Sequence, residues 1–283
     1  MQPIGVFDSG VGGLSVLRSL RQLLPEEPLL YLADQAHVPY GPRPLEQVRY
    51  FSEQITRYLL EEGAKLIVVA CNAASAAALQ YLRQVYAGIP FVGMEPAVKP
   101  AAEQTRSGVV GVLATPATFQ GALYASVVER FANGVDLLPS TCPGLVQQIE
   151  AGDLDGPVTR GILEQALRPM QAQGIDTVVL GCTHYPFVIP LIEQIVGPEV
   201  RVIDPAPAVA RQVARLLGER GLREVGRAEP PVMRFTTTGD VQALEIALAR
   251  LIKEQGVVEA VKWVEEGVNR PDGRPTLQAK RPG

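Results

Sequence analysis

The chain of 283 residues has few of the residues on which several classes of protein depend. Three cysteines are too few for a disulfide framework at this length, so a cytoplasmic protein with reduced thiols is expected. Histidine occurs only twice, as His37 and His184, and there is no CxxC motif. A zinc site built from such ligands would be unusual, and we expect no metal.

Long apolar runs and basic stripes are also missing. No apolar segment approaches the roughly 20 residues that span a bilayer. The start of the chain runs into a strand pattern without the charged and apolar regions of a signal peptide. The formal net charge is −4, with basic residues scattered along the sequence. These features argue against a membrane partner, and the lack of a basic stripe argues against nucleic acid as the primary ligand; we expect neither as a partner.

Hydrophobic residues make up 47% of the chain, enough for two domains with cores of their own. Short apolar runs alternate with helical patterns, which predicts a parallel α/β architecture. The predicted helices include 45–61 and 158–171. The predicted strands are 4–7, 29–33, 66–70, 91–93, 109–113, 135–138, 177–180, 200–203 and 233–237.

Two of the strand-like runs end in a cysteine and share one layout. Glycine stands eight residues before the cysteine in both, as Gly63 before Cys71 and Gly174 before Cys182. Ligand-binding groups collect at the carboxyl ends of parallel strands. We therefore expect a thiol on each face of one substrate, which suits removal of a proton on one side and delivery of a proton on the other.

Further landmarks repeat in the same order. Ser9 and Thr115 each end a strand, 62 and 67 residues before the two cysteines, and Pro96 and Pro205 follow those cysteines by 25 and 23 residues. This order predicts two pseudo-symmetric α/β domains with the active site in the cleft between them. We expect a first domain of residues 1–95 plus 208–266, a second of residues 96–207, and a flexible tail of residues 267–283.

The loop 8–13, Asp-Ser-Gly-Val-Gly-Gly, follows the first strand and opens a helix. Backbone N–H groups at such a place bind anions, and a substrate carboxylate fits better than a pyrophosphate because the spacing is neither that of a dinucleotide loop nor that of a P-loop. Taken alone, the loop is better explained as a tight turn in which glycine supplies a positive φ. Asp8 is either a helix cap or a group that orients a neighbouring thiol.

The surroundings of the cysteines indicate chemistry. Cys71 precedes Asn72 and a helix of small residues, and a helix N-terminus stabilises a thiolate. Cys182 has His184 two residues further along the chain. A lone cysteine is usually a small buried apolar residue, but the polar neighbours of these two favour reactive thiols. Cys142 has no matching partner and is interpreted as structural.

Two other segments have ordinary structural explanations when taken alone. Tyr40 and Gly41 lie in a loop rich in turn-forming residues, which is typical of a rigid connection. Glu150 ends a predicted helix, where most acidic residues are solvated.

Taken together, the segments 8–14, 38–41, 70–72, 95–97 and 181–186 resemble the glutamate racemase family of the aspartate/glutamate racemase superfamily, in content and in order. The resemblance covers about residues 4–240. It implies an enzyme that needs no cofactor, interconverts L- and D-glutamate, and supplies D-glutamate for peptidoglycan. It also implies a cytoplasmic homodimer.

The resemblance implies roles for individual residues. Cys71 would act on the D-enantiomer with the help of Asp8, and Cys182 on the L-enantiomer with the help of His184. Glu150 matches the family's acidic residue near the second cysteine. The implied contacts to substrate are Asp8, Ser9, Tyr40, Gly41, Asn72, Ala73, Thr118, Thr183 and His184.

At one position the chain departs from the family. Ala73 stands where the family usually has threonine, so a hydroxyl contact to substrate is lost. A racemase of aspartate or another small acidic amino acid is therefore an alternative, as is a binding or inhibitor protein on the same fold, for example one acting on a topoisomerase. A cysteine hydrolase needs one nucleophile with its own base, which leaves the second cysteine without a role.

Overall fold

The computed structural model describes residues 2–226, 230–264 and 267–269. The strands in these ranges are β1 Ile4–Asp8, β2 Leu29–Ala33, β3 Leu66–Val69, β4 Phe91–Gly93, β5 Val109–Ala114, β6 Asp136–Ser140, β7 Thr177–Gly181, β8 Arg201–Ile203, β9 Arg234–Thr237, β10 Val258–Ala260, β11 Lys262–Val264 and β12 Gly267–Asn269. The α-helices are α1 Leu14–Leu23, α2 Leu45–Glu61, α3 Asn72–Val85, α4 Val98–Gln104, α5 Pro116–Gln120, α6 Ala122–Phe131, α7 Leu145–Glu150, α8 Pro157–Ala172, α9 Ile189–Val196, α10 Ala206–Glu219 and α11 Val241–Ala247.

Two parallel sheets repeat one topology. The first has the strand order β10-β9-β2-β1-β3-β4 and the second the order β6-β5-β7-β8. In each, the strand order reverses between the first and third strands of the unit, β1 and β3 or β5 and β7. Ligands bind at the carboxyl ends of strands at such a reversal. Asp8 and Cys71 follow this point in the first sheet, and Thr115 and Cys182 in the second. The predicted parallel α/β class is confirmed.

The strands are apolar because helices cover the sheets. All five residues of β1 and of β2 are buried, as expected for parallel strands enclosed on both faces. Helix α2, at the predicted bounds, buries Val48, Ile55 and Leu59 along one side. Each such side chain contributes roughly 1.5–3 kcal/mol of transfer free energy when fully buried. Strand β6 extends through Pro139, beyond its predicted end, because an edge strand tolerates proline.

The repeated glycines end helices in the same way. Gly63 follows α2 and Gly174 follows α8, with φ of +84° and +80°. The N–H of Ala64 donates to the carbonyl of Leu59, and the N–H of Gly63 donates to that of Leu60. This Schellman arrangement requires the left-handed conformation that glycine adopts without strain. The shared layout of the two runs thus begins with a shared helix stop.

The carboxyl-terminal part of the chain returns to the first sheet. Strand β9 pairs with β2, and α10 packs against α1. The expected division at residues 95/96 and 207/208 stays a prediction that this arrangement supports. The expectation that a flexible tail starts at residue 267 is wrong for its first three residues, because β12 pairs antiparallel with β11. Residues 270–283 lie outside the described part of the chain.

Candidate active site

A small cavity, about 20 Å³ in volume, lies at the carboxyl ends of both sheets. Both cysteines line it, one from each sheet. Most of the substrate contacts expected from the sequence also lie in its wall: Ser9, Tyr40, Gly41, Asn72, Ala73, Thr183 and His184. The structure thus brings together residues that are up to 175 positions apart in the chain.

Cys71 is the residue before α3 and is 4% exposed. Burial raises the pKa of its thiol well above the usual value, and the nearby charge of Asp8 raises it further. The N–H of Ala74, at the start of the helix, lowers it. The sequence led us to expect a thiolate favoured by the helix N-terminus. Burial outweighs that effect and the pKa of the thiol is raised overall, which favours the protonated form of Cys71 at neutral pH.

The Cys182 sulfur lies beside two hydrogen-bonded polar side chains, His184 and Glu150. Its sulfur lies 3.8 Å from Nδ1 of His184, and Nε2 of His184 lies 2.6 Å from Oε1 of Glu150. Burial lowers the pKa of His184, but the hydrogen bonds with Cys182 and Glu150 and the charge of Glu150 outweigh it, and the pKa is raised well above the usual value. An imidazolium at neutral pH therefore faces the Cys182 sulfur.

Glu150 is held in place from the other sheet. Its Oε1 accepts a hydrogen bond of 2.8 Å from the N–H of Val11, in the loop after β1. Glu150 ends α7 in the half of the chain that carries Cys182. Glu150, which the resemblance to the family singled out and the local pattern alone did not, thus bridges the glycine-rich loop and His184.

The glycine-rich loop binds carboxylates of the protein itself. The N–H groups of Gly10 and Gly13 donate to Oδ2 of Asp8, at 3.1 and 3.0 Å. Gly10, Gly12 and Gly13 do not belong to the glycines with positive φ, so the explanation of the loop as a turn that needs positive φ is wrong. A β-carbon at Gly13 would lie 2.7 Å from that of Asp8. These glycines are needed for close approach.

Asp8 is fully buried behind the cavity wall. Burial raises the pKa of its carboxyl, and the charge of His184 and the hydrogen bonds with Gly13 and Cys71 oppose the rise. The hydroxyl of Thr183 donates to Oδ1 at 3.3 Å. Asp8 is therefore a carboxyl group with raised basicity that is hydrogen-bonded to the Cys71 thiol, as well as the anchor of its own loop.

The side-chain amide of Asn72 indicates a binding site for a polar ligand. Both polar atoms of its side chain are buried and have no partner in the described structure. Buried polar groups in native proteins are almost always hydrogen-bonded. Because Asn72 lines the cavity, a polar substrate there would satisfy both atoms. Ala73, beside it, presents a methyl group at the same wall.

Thr118 does not line the cavity. Its hydroxyl lies 3.1 Å from that of Thr115 and 3.4 Å from the carbonyl of Gly181, on the far side of the wall. Thr115 lines the cavity instead. The sequence carried a signal for Thr115, since it ends a strand in the place that Ser9 occupies in the first half.

A second residue that the sequence analysis missed is Asp34. It accepts a hydrogen bond of 2.6 Å from the hydroxyl of Tyr40, the tyrosine of the cavity wall. Asp34 directly follows β2, at the same edge of the sheet as Asp8. Its place at a carboxyl end of a parallel strand was the available signal.

Within the ranges that the structure describes, no group of three or more His, Cys, Asp or Glu side chains could hold a metal ion. In the same part of the chain, no helix has both the length and the apolar character to cross a membrane.

Comparisons with known proteins agree with the geometry of this site. The family model described as Asp/Glu/hydantoin racemase matches residues 4–213. The glutamate racemase of Ectopseudomonas mendocina is 52% identical over 256 residues, which cover 90% of this chain and 97% of that protein.

Solved structures give the same result. Glutamate racemase isoform RacE1 from Bacillus anthracis matches with a TM-score of 0.83 and 33% identity, covering 92% of this chain and 97% of that one. Glutamate racemase from Francisella tularensis, crystallised in complex with D-glutamate, matches with a TM-score of 0.80 and 28% identity, covering 93% and 97%.

Proposed function

The chain belongs to the Asp/Glu/hydantoin racemase family. We propose that this amino-acid racemase interconverts L- and D-glutamate with two cysteines, one of which takes the α-proton while the other delivers a proton to the opposite face. The observation that carries the proposal is the pair of thiols, Cys71 and Cys182, in the wall of one cavity. Each has its own acid–base partner. The two partners differ, and this difference decides which thiol starts the reaction.

The two sulfurs have different surroundings. Cys71 is buried beside the Asp8 carboxyl, which favours the neutral thiol. Cys182 faces the His184 imidazolium, and a cation beside a cysteine stabilises the thiolate. These surroundings suit proton removal on the Cys182 side and proton delivery on the Cys71 side. This matches the assignment of Cys182 to L-glutamate and Cys71 to D-glutamate.

The protons balance in the conversion of L-glutamate into D-glutamate, and the reverse conversion runs through the same steps backwards. The Cys182 thiolate takes the α-proton of L-glutamate and becomes a thiol, and the Cys71 thiol gives its proton to the opposite face of the α-carbon and becomes a thiolate. Asp8, with its raised pKa, accepts or returns a proton next to Cys71. The free enzyme is restored when a proton moves from the Cys182 side to the Cys71 side through solvent.

Binding groups around the cavity supply the stabilisation that the carbanion-like transition state needs. Ser9, Thr115 and Thr183 line the cavity together with Asn72, whose side-chain amide has no protein partner in the described structure. Preorganised donors directed at developing charge are the main source of such stabilisation. Closure of the site around a bound substrate would exclude water from the reacting atoms.

The test is racemisation by the purified protein without added cofactor. We expect L- and D-glutamate to be interconverted and the α-proton to exchange with deuterium oxide. Parallel assays with L- and D-aspartate test the alternative that Ala73 leaves open, and faster turnover of aspartate would overturn the choice of substrate. Absence of exchange with every one of these substrates would favour a binding or inhibitor protein.

Three further expectations rest on the resemblance to the family. The enzyme supplies D-glutamate for peptidoglycan, works in the cytoplasm and forms a homodimer. Analytical ultracentrifugation measures the last of these directly.

A further inference from the structure

Asp34 is a fully buried carboxylate that collects four donors. Its Oδ2 accepts from the Tyr40 hydroxyl at 2.6 Å and lies 3.0 Å from Nδ1 of His37. Its Oδ1 accepts from the Thr238 hydroxyl and from Nε1 of Trp263, each at 2.7 Å. A buried polar network satisfied at every member is rigid. None of these contacts belongs to the proton-transfer groups described above.

The four donors come from separate parts of the fold. Tyr40 belongs to the cavity wall, whereas Thr238 follows β9 and Trp263 lies on β11. About 200 residues of chain separate Asp34 from the last two. The carboxylate therefore ties the wall of the active site to the carboxyl-terminal hairpin, β11 with β12.

The hairpin is itself anchored. Val261 and Val268 are buried in the same apolar cluster as Tyr40 and Phe51. The ring of His37 stacks on that of Phe51 with centroids 3.9 Å apart, and the Trp263 ring meets His37 edge-on at 4.9 Å. The Trp263 indole thus reaches Asp34 from a fixed position.

We propose that Asp34 is a positioning residue, and that the carboxyl-terminal hairpin, through Trp263, sets the affinity of the site for its amino-acid substrate. Oδ1 is fixed by Thr238 and Trp263, which orients the carboxylate so that Oδ2 holds the Tyr40 hydroxyl. Tyr40 in turn fixes the adjacent Gly41, whose carbonyl accepts from the N–H of Ala117 at 3.0 Å. The inference rests on the proposed function for the identity of the substrate.

The first test removes donors to Oδ1 one at a time. We expect Trp263→Phe and Thr238→Val each to raise KM for glutamate about fivefold while kcat changes less than about twofold, because a hydrogen bond to a buried charged group is lost far from the thiols. Thr238→Ser retains the hydroxyl and should restore the wild-type KM. Tyr50→Phe is the matched control, because it alters the ring cluster beside Trp263 without touching Asp34.

The second test asks whether Trp263 acts through Tyr40. In a double-mutant cycle, Tyr40→Phe removes the hydroxyl that Asp34 holds, and Trp263→Phe should then have no further effect on KM. Additive effects on KM would overturn the proposal, since a residue that only stabilises the fold acts independently of that hydroxyl. An unchanged KM in both Trp263→Phe and Thr238→Val would do the same.

A readout without turnover separates this inference from the proposed function. Urea unfolding of the four proteins of the cycle measures the coupling between Tyr40 and Trp263 whether or not glutamate is the substrate. A wild-type protein that fails to racemise glutamate would contradict the proposed function. If the wild-type protein does racemise glutamate but Tyr40 and Trp263 contribute additively to the free energy of unfolding, only the role of Asp34 is contradicted.

Discussion

Gly12 packs directly against the imidazole ring of His184. A β-carbon at Gly12 would overlap the ring, and one at Gly10 would overlap the carboxylate of Glu150. The loop after β1 thus packs against both His184 and Glu150, the two side chains beside Cys182. Glycine is required here by the space available, since neither residue belongs to the glycines with positive φ.

Gly12→Ala should therefore damage catalysis through His184. Because the added methyl group displaces the imidazole, we expect kcat/KM to fall about 100-fold, the loss that a misplacement of about 1 Å can cause. Gly161→Ala in α8 is the control. No atom lies within 4 Å of its added methyl group, so it should stabilise the helix by about 0.5–1 kcal/mol and leave kcat unchanged. Steady-state kinetics and thermal unfolding measure the two effects.

Replacing either active-site thiol should stop racemisation. We expect Cys71→Ser and Cys182→Ser each to lower kcat by about 10²–10⁴, the range for loss of a general acid or base. Cys142→Ser serves as the control and should retain activity, because Cys142 does not line the cavity with the other two. Polarimetric assays in both directions report the loss, and full activity in either active-site variant would rule out the two-base scheme.

The raised pKa of His184 predicts the alkaline limit of the reaction from L-glutamate. The imidazolium persists through neutral pH, and the rate should fall as the pH rises through the pKa of the folded protein. Glu150→Gln removes the negative charge that helps to raise this pKa, so the alkaline limb should move to lower pH. The chain has only two histidines, so NMR with labelled histidine resolves the titration of His184 against His37. An alkaline limb of the pH–rate profile that stays at the same pH in Glu150→Gln would contradict its assignment to His184.

The same pair affects stability with a defined sign. A histidine whose folded pKa is raised contributes stability that is fully present below its unfolded value of about 6.5 and is lost as the pH rises through the folded pKa. Glu150→Gln should therefore lower the free energy of unfolding most at mildly acidic pH. Urea titrations at a series of pH values measure this, and a deficit that grows toward alkaline pH would contradict it.

Restoring the usual residue of the family should tighten substrate binding. Ala73 is 3% exposed and lines the cavity beside Asn72. Ala73→Thr adds a hydroxyl there, and we expect KM for glutamate to fall about three- to tenfold, because a typical hydrogen bond contributes about 0.5–1.5 kcal/mol net. Ala73→Val, of the same shape without the hydroxyl, is the matched control and should not lower KM.

The sequence predicted the parts of this structure that depend on local pattern. The apolar runs ending at Cys71 and Cys182 located both thiols at carboxyl ends of strands, because burial on two faces makes such strands continuously apolar. The same reasoning applied to Asp34 and Thr115 would have placed them at this edge as well.

Other features depend on contacts that leave no local trace. Glu150 meets His184 across 34 residues and Val11 across 139, and only resemblance to a family singled it out. Trp263 reaches Asp34 across 229 residues. The helix N-terminus beside Cys71 is visible in sequence and does lower the pKa of the thiol through the N–H of Ala74, whereas the larger effect of burial, which raises that pKa, is not visible in sequence.

The hydrogen bond from the N–H of Val11 to Glu150 joins the loop after β1 to the half of the chain that carries His184, and the same carboxylate oxygen of Glu150 contacts the imidazole. Any motion that parts the sheets to admit substrate breaks this bond and withdraws the glycine-rich loop from the imidazole. Cys182, His184 and Glu150 all belong to one half of the chain, so the groups that raise the pKa of His184 would stay together in an open molecule, whereas Glu150 would lose the donor that orients its carboxylate.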